Sequence, residues 1–349
     1  MKKERNLYID VLKAFSILLV VLGHCIQYGA GKEYTADGAF FANPVFLFIY
    51  SFHMPLFMLI SGYLFAFSCK NKTWFKLLVA KAKQILIPLC GWCVVSTVID
   101  TIKIICGLSD ASFGFVWLIK DLYANLKGGP WFLWAMWCGV IAVIFVRFFL
   151  KDHPLAYVFI CLASLLVPDS LISATTKFML PFFIIAYYFN AHGFNVKLKK
   201  IYMHPAFIIG CTAAFISLIH LYSYDTYIYN SGFFITSHLS RALTSLHNNT
   251  LRFTVGFFGS ISFMYLIYGV VRILPKVASS ALAYLGTKTL GIYIISNYLF
   301  IEIVRLLPIT GLNYGLIILE TVIVTAVSTV LTILLQKFKY TNRIFLGGR

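Results

Sequence analysis

Apolar runs close to twenty residues long recur from one end of the chain to the other, and nothing else in it narrows the fold as much. Such a run is the length an α-helix needs to cross a hydrocarbon core of roughly 30 Å. Lipid offers no partners to backbone N–H and C=O groups, so the runs predict helices. Hydropathy places about ten of them, near 7–29, 41–68, 85–106, 131–149, 154–168, 176–191, 205–222, 252–273, 282–304 and 312–336. Only 12% of residues are charged and the mean hydropathy is +0.85, whereas a soluble domain carries about 25% charge. The expectation is an all-α, polytopic membrane protein whose residues 1–349 form a single transmembrane domain.

A net charge of +17 would suit a nucleic-acid partner, but its distribution argues against one. Basic residues gather in alternate connections: Lys2, Lys3 and Arg5; Lys70, Lys72, Lys76, Lys81 and Lys83; Arg147 and Lys151. They return at Lys197, Lys199 and Lys200, at Arg272 and Lys276, and at Lys337, Lys339, Arg343 and Arg349. The intervening connections are nearly neutral, as at Lys32, Glu33 and Asp37, or Asp110, Lys120, Asp121 and Lys127. That alternation is the positive-inside pattern, and it predicts both termini in the cytoplasm. The basic segment before the third run, "CKNKTWFKLLVAKAKQ", looks amphipathic and predicts a helix along the inner surface. The eight cysteines lie in or beside apolar runs and read as free thiols; "CGWC" (Cys90–Cys93) lacks the βαβ context of a redox motif.

The first run carries three ionisable side chains that hydrocarbon tolerates poorly: Asp10, Lys13 and His24. Spacings of three and eleven residues put them on one helix face, and such residues usually face a bundle interior or a water-filled cavity. With the N-terminus inside, Lys13 lies roughly 9 Å into the span and His24 roughly 25 Å. Asp10 and Lys13 read either as an ion pair snorkelling to the inner interface or as the mouth of a passage. His24 reads either as an interhelical hydrogen bond or as a general base, since imidazole titrates near neutrality. A direct Asp10–His24 dyad is excluded by about 21 Å of helix.

Four stretches carry a family likeness. "DVLKAFSILLVVLGH" on the first run and "FHMPLFMLISGYLF" (Phe52–Phe65) on the second are the specific ones. "GPWFLWAMW" (Gly129–Trp137) and "LGTKTLGIYIIS" (Leu285–Ser296) support them. Together they resemble the integral-membrane acyltransferase-3 superfamily, in particular its fucose 4-O-acetylase-like and surface-polysaccharide O-acetyltransferase members. Lys13 stands where many members have Arg, and Asn297 where relatives often show His.

The resemblance implies transfer of an acyl group, usually acetyl, from cytoplasmic acetyl-CoA to a sugar hydroxyl of a cell-surface or lipid-linked glycan. It implies His24 as general base or acyl relay, and no metal. Lys13, Asp10, Lys81 and Lys83 would meet the anionic donor. His53, Ser61, Trp131, Arg252, Tyr293 and Asn297 would meet the acceptor or the oxyanion. Pro55 is expected to break the helix between His53 and Ser61, and Arg252 reads as an anchor for its helix or a partner for an acidic acceptor. The Tyr-rich connection 221–251 reads as an outer lid or glycan-contacting loop, or as an interfacial tyrosine belt. A bacterial inner or plasma membrane is the expected location, with a homo-oligomer open. The rival function is a transporter or flippase for a lipid-linked glycan.

Overall fold

The computed structural model describes residues 6–109, 111–233, 239–302, 309 and 311–348. Lys2, Lys3, Arg5, Asp110, Arg349, residues 234–238 of the long connection and residues 303–304 of the ninth expected span lie outside them. Every regular element among the described residues is helical.

The helices used below are α1 (Leu7–Tyr28), α2 (Pro44–Ser68), α3 (Trp74–Ile105), α4 (Phe115–Gly128), α5 (Trp131–Phe149), α6 (Pro154–Ser164) and α7 (Leu171–Ala191). They continue with α8 (Pro205–Ile219), α9 (Leu239–Ile273), α10 (Lys276–Gly286), α11 (Thr289–Glu302), α12 (Tyr314–Lys337) and α13 (Lys339–Leu346). Starts follow local chemistry. The Asn43 side chain accepts from the Val45 and Phe46 N–H groups at 3.0 Å and Pro44 takes the first helical position of α2, so orphan donors of that helix end are satisfied.

Among the described residues seven helices, α1, α2, α3, α5, α7, α9 and α12, are long and apolar enough to cross a membrane. The chain is a multi-pass membrane protein. The other three expected spans are shorter or broken. The fifth is the 11-residue α6, the seventh the 15-residue α8, and the ninth divides into α10 and α11 around Thr287 and Lys288.

Three expectations are corrected. The basic segment before the third span is no separate surface helix but the first turns of the continuous 32-residue α3. Pro55 does not break α2; the helix carries the missing donor, and packing by α7 and α9 on its flanks outweighs the local preference. Arg252 does not open its helix, because α9 begins thirteen residues earlier at Leu239.

α1 is the hub, packed by α2, α9, α10, α11 and α12. Its Val11, Leu12, Ala14, Val21, Cys25 and Ile26 have no exposed surface, so an imidazole or carboxylate on this helix faces protein before it faces lipid. α2 lies against α7 so closely that a Cβ at Gly62 would sit 2.0 Å from the Phe183 carbonyl oxygen. α10 meets α1 the same way: a Cβ at Gly286 would lie 1.8 Å from the Asp10 carbonyl. The glycine of "LGTKTLG" therefore lets a helix backbone rest on the turn that bears Asp10 and Lys13.

Candidate active site

Asp10 and Lys13 form the ion pair that their spacing predicts, at 2.6 Å, with side chains 11% and 19% exposed. An isolated charge at the centre of a membrane helix costs about 2.5–3.5 kcal/mol on insertion scales. Pairing the two offsets part of that while leaving the ammonium a route to the surface.

Eleven residues further along the same helix, half-buried His24 meets α2. The contact is fixed by Gly23, whose Cα lies against the Tyr50 ring and Ile49. One turn on from Ile49 is His53, 3% exposed, whose Nδ1 bonds the Ile49 carbonyl at 2.8 Å. A carbonyl only accepts, so Nδ1 carries the proton, and neutral His53 presents a lone pair at Nε2. The close approach at Gly23 brings the His24 end of α1 against the Ile49–Tyr50 turn of α2, one turn before His53. In this tautomer the Nδ1–H of His53 is committed to the backbone and Nε2 is left as an acceptor.

Aromatic rings surround the pair. Tyr50 stacks on Phe46 at 3.7 Å, packs on His53 at 4.7 Å and lies 6.4 Å from Tyr229, and its hydroxyl meets Gln27 Oε1 at 3.3 Å. Trp131, at the start of α5, lies 6.1 Å from Tyr229; Phe132 lies 6.0 Å from Tyr293 of α11 and 6.0 Å from Phe57 of α2. Half-buried Asn297 follows Tyr293 by one helical turn, on the same face. His24, Tyr50, Trp131, Tyr293 and Asn297 all keep part of their surface, and Tyr229 is 39% exposed. Each therefore keeps surface that packing does not cover.

Other expected residues lie elsewhere. Ser61 is half-buried, eight residues and about 12 Å along α2 from His53, so it does not join the imidazoles. Lys81 bonds Gln84 at 3.3 Å and lies over the Phe65 ring, while Lys83 is exposed. Arg252, 1% exposed, turns its guanidinium onto Ser231 and Gly232. Burial pushes the phenol of Tyr222, which feels the Arg252 charge, and that of its ring neighbour Tyr227 well up, so both stay neutral. An apolar cavity of about 530 Å³ lies behind α11 against Trp92, Tyr298 and Leu335; its walls offer no group for chemistry. Among the described residues no group of His, Cys, Asp or Glu has a metal-binding arrangement.

Sequence reasoning missed Tyr50 and Tyr229. Tyr50 was within reach, since it precedes His53 by three residues on one face. Tyr229 was not, because no spacing rule joins it to a residue on α2.

The described residues form a helical membrane bundle in which a central helix carries an ion pair and an imidazole next to an aromatic cluster. The Acyl_transf_3 family model, an acyltransferase domain, matches residues 6–337, and the chain belongs to that family. It is a membrane O-acyltransferase. It is similar to the nodulation protein NolL of Mesorhizobium japonicum, 28% identical over 313 residues, 85% of this chain and 77% of that protein. NolL of Sinorhizobium fredii is 30% identical over 236 residues, 65% of this chain and 60% of that protein. No solved structure matches the chain.

Proposed function

We propose that the chain moves an acyl group, acetyl, from cytoplasmic acetyl-CoA to a sugar hydroxyl of a cell-surface or lipid-linked glycan at the outer face of a bacterial inner membrane. The observation that carries this reading is the arrangement on α1: a paired ammonium in the inner third and, three turns outward, an imidazole beside a second imidazole and an open aromatic wall. The positive-inside pattern supports cytoplasmic termini and about ten crossings, with α6, α8 and the α10–α11 pair as the shorter ones. The relatives' bacterial sources support the location.

Lys13, with Lys81 and Lys83 on the cytoplasmic start of α3, supplies point charges for the anionic donor. The thioester reaches His24 from below and the sugar from above, where Trp131, Tyr229 and Tyr50 offer ring faces to a pyranose. His24 takes the proton of the acceptor hydroxyl as its oxygen attacks the thioester carbonyl. The tetrahedral intermediate collapses, the C–S bond breaks, and CoA leaves as a thiolate that takes up a proton. In the relay version the imidazole attacks first, expels the thiolate and passes the acyl group to the alcohol. In this reading the Tyr293 hydroxyl donates to the oxyanion. The transporter reading rests on the break between α10 and α11; family membership and the imidazole pair weigh for the enzyme.

Mass spectrometry of surface glycan tests the proposal. Cells expressing the chain gain a mass increment of one acetyl group per modified sugar, removed by mild base. Identical glycans with and without the chain would refute it. Lys13→Ala raises the KM for acetyl-CoA roughly tenfold, as loss of one charge-assisted phosphate contact predicts. Lys13→Arg keeps the charge and stays near wild type. An unchanged KM in Lys13→Ala would remove that residue from the donor site.

A further inference from the structure

Residues 222–233 form a strap at the outer mouth of the site, and the strap is fastened at both ends. At its start the Ser223 N–H donates to Thr226 Oγ1 at 3.1 Å, the Tyr227 hydroxyl donates to the Phe41 carbonyl at 3.3 Å, and the Tyr224 and Tyr227 rings pack on Phe41. At its end, three consecutive residues are gripped by three charged side chains, Arg252 and Lys177 from two helices and Asp169 from the connection just before α7. Arg252 of α9 donates from Nη1 to the Gly232 carbonyl at 2.7 Å and from Nη2 to Ser231 Oγ at 2.5 Å. Lys177 of α7, 4% exposed, donates to the Phe233 carbonyl at 3.1 Å and pairs with Asp169 at 2.6 Å. The other Asp169 oxygen accepts from the Phe233 N–H at 2.6 Å. Gly232 sits at φ 68 and ψ −163, a conformation open in practice only to glycine.

Arg252 lies 21 residues from the inner end of α9, about 32 Å, which is the outer edge of the hydrocarbon. Burying the two cations Arg252 and Lys177 there is costly, and a surface connection needs neither to reach across from its helix. What all three hold is the backbone two to four residues beyond Tyr229, the strap ring that reaches Trp131 and Tyr50. The bonds described for the three run to residues 231–233 and to one another, so they act through the strap.

We infer that Arg252, Asp169 and Lys177 are positioning residues, a clasp that sets Tyr229 over the imidazole pair and thereby fixes the opening through which the acceptor alcohol enters. What the opening admits rests on the acyl-transfer reading above; the clasp itself does not. A loosened clasp lets Tyr229 lift, so the sugar is held less well while water gains access to the thioester.

The test combines hydrogen exchange of the strap amides in nanodiscs with steady-state kinetics on the full chain. Wild type is compared with Arg252→Lys, Asp169→Asn and Ser231→Ala. Arg252→Lys and Asp169→Asn speed exchange over 224–233 roughly tenfold, the factor expected for one charge-assisted hydrogen bond, with α1 and α2 unchanged. Ser231→Ala gives a smaller increase and leaves every buried charge in place, so it stays readable if the charge variants fail to insert. Acceptor KM and the ratio of acetyl-CoA hydrolysis to transfer both rise while the acetyl-CoA KM holds. Strap exchange as slow as wild type in every variant that inserts overturns the clasp. Faster exchange with acceptor KM and hydrolysis ratio unmoved overturns its link to the acceptor. A wild-type chain that acylates no glycan defeats the functional reading, and the exchange data still decide the clasp.

Discussion

Replacing His24 with Gln or Ala stops acylation of surface glycan, with transfer falling about 10²–10⁴-fold if the imidazole serves only as general base. The protein still inserts, because the half-buried ring lines a space rather than the packed interior of α1. Glutamine keeps the volume and a polar tip but cannot take a proton at neutral pH, so its rate separates proton transfer from shape. A relay role leaves a further mark. Rapid quench of wild type with labelled acetyl-CoA and no acceptor traps acyl-protein, and His24→Gln traps none. Full acetylation by the Gln variant would remove His24 from the chemistry.

The bundle was legible in the sequence because lipid leaves the backbone one option for isolated runs. α1, α2, α5 and α12 fall within a few residues of the hydropathy boundaries. The misses share a cause: hydropathy reports where hydrocarbon is tolerated, not where a helix stops. The cationic turns of α3 and the polar first turns of α9 continue helices into water, where hydropathy has no signal. The break between α10 and α11 was hidden because "LGTKTLG" sits within an apolar stretch.

For the site, periodicity placed Asp10, Lys13 and His24 on one face, since a helix fixes its own geometry. It could not place His53 beside His24, because that depends on the close approach at Gly23 and on α2 passing unbroken through Pro55. Nor could it show that Arg252 grips the strap, because its partners lie about twenty residues back in the chain and no helical spacing relates them.

The second large effect is expected at His53, where two substitutions divide the ring between them. Asparagine can place an amide near Nδ1 and keep the bond to the Ile49 carbonyl, but has nothing at Nε2. Glutamine can place an amide near Nε2 and loses the backbone bond. If His53 only steadies α2 across Pro55, where the proline removes a helical donor, His53→Asn works and His53→Gln is impaired. The fixed tautomer argues for more: a buried imidazole with its Nδ1 proton committed to Ile49 offers its free lone pair as a proton acceptor, one turn from the residues of α2 that pack on Gly23. On that reading His53→Asn loses about 10²-fold in kcat, the low end for a proton-transfer group, with the acetyl-CoA KM unchanged. His53→Gln loses as much, since an amide takes up no proton. A pH–rate profile reports the same distinction: wild type shows two ionisations on the acidic limb and the Asn variant one. Retention of kcat and both ionisations in His53→Asn would reduce His53 to a structural hydrogen bond and leave His24 as the lone base.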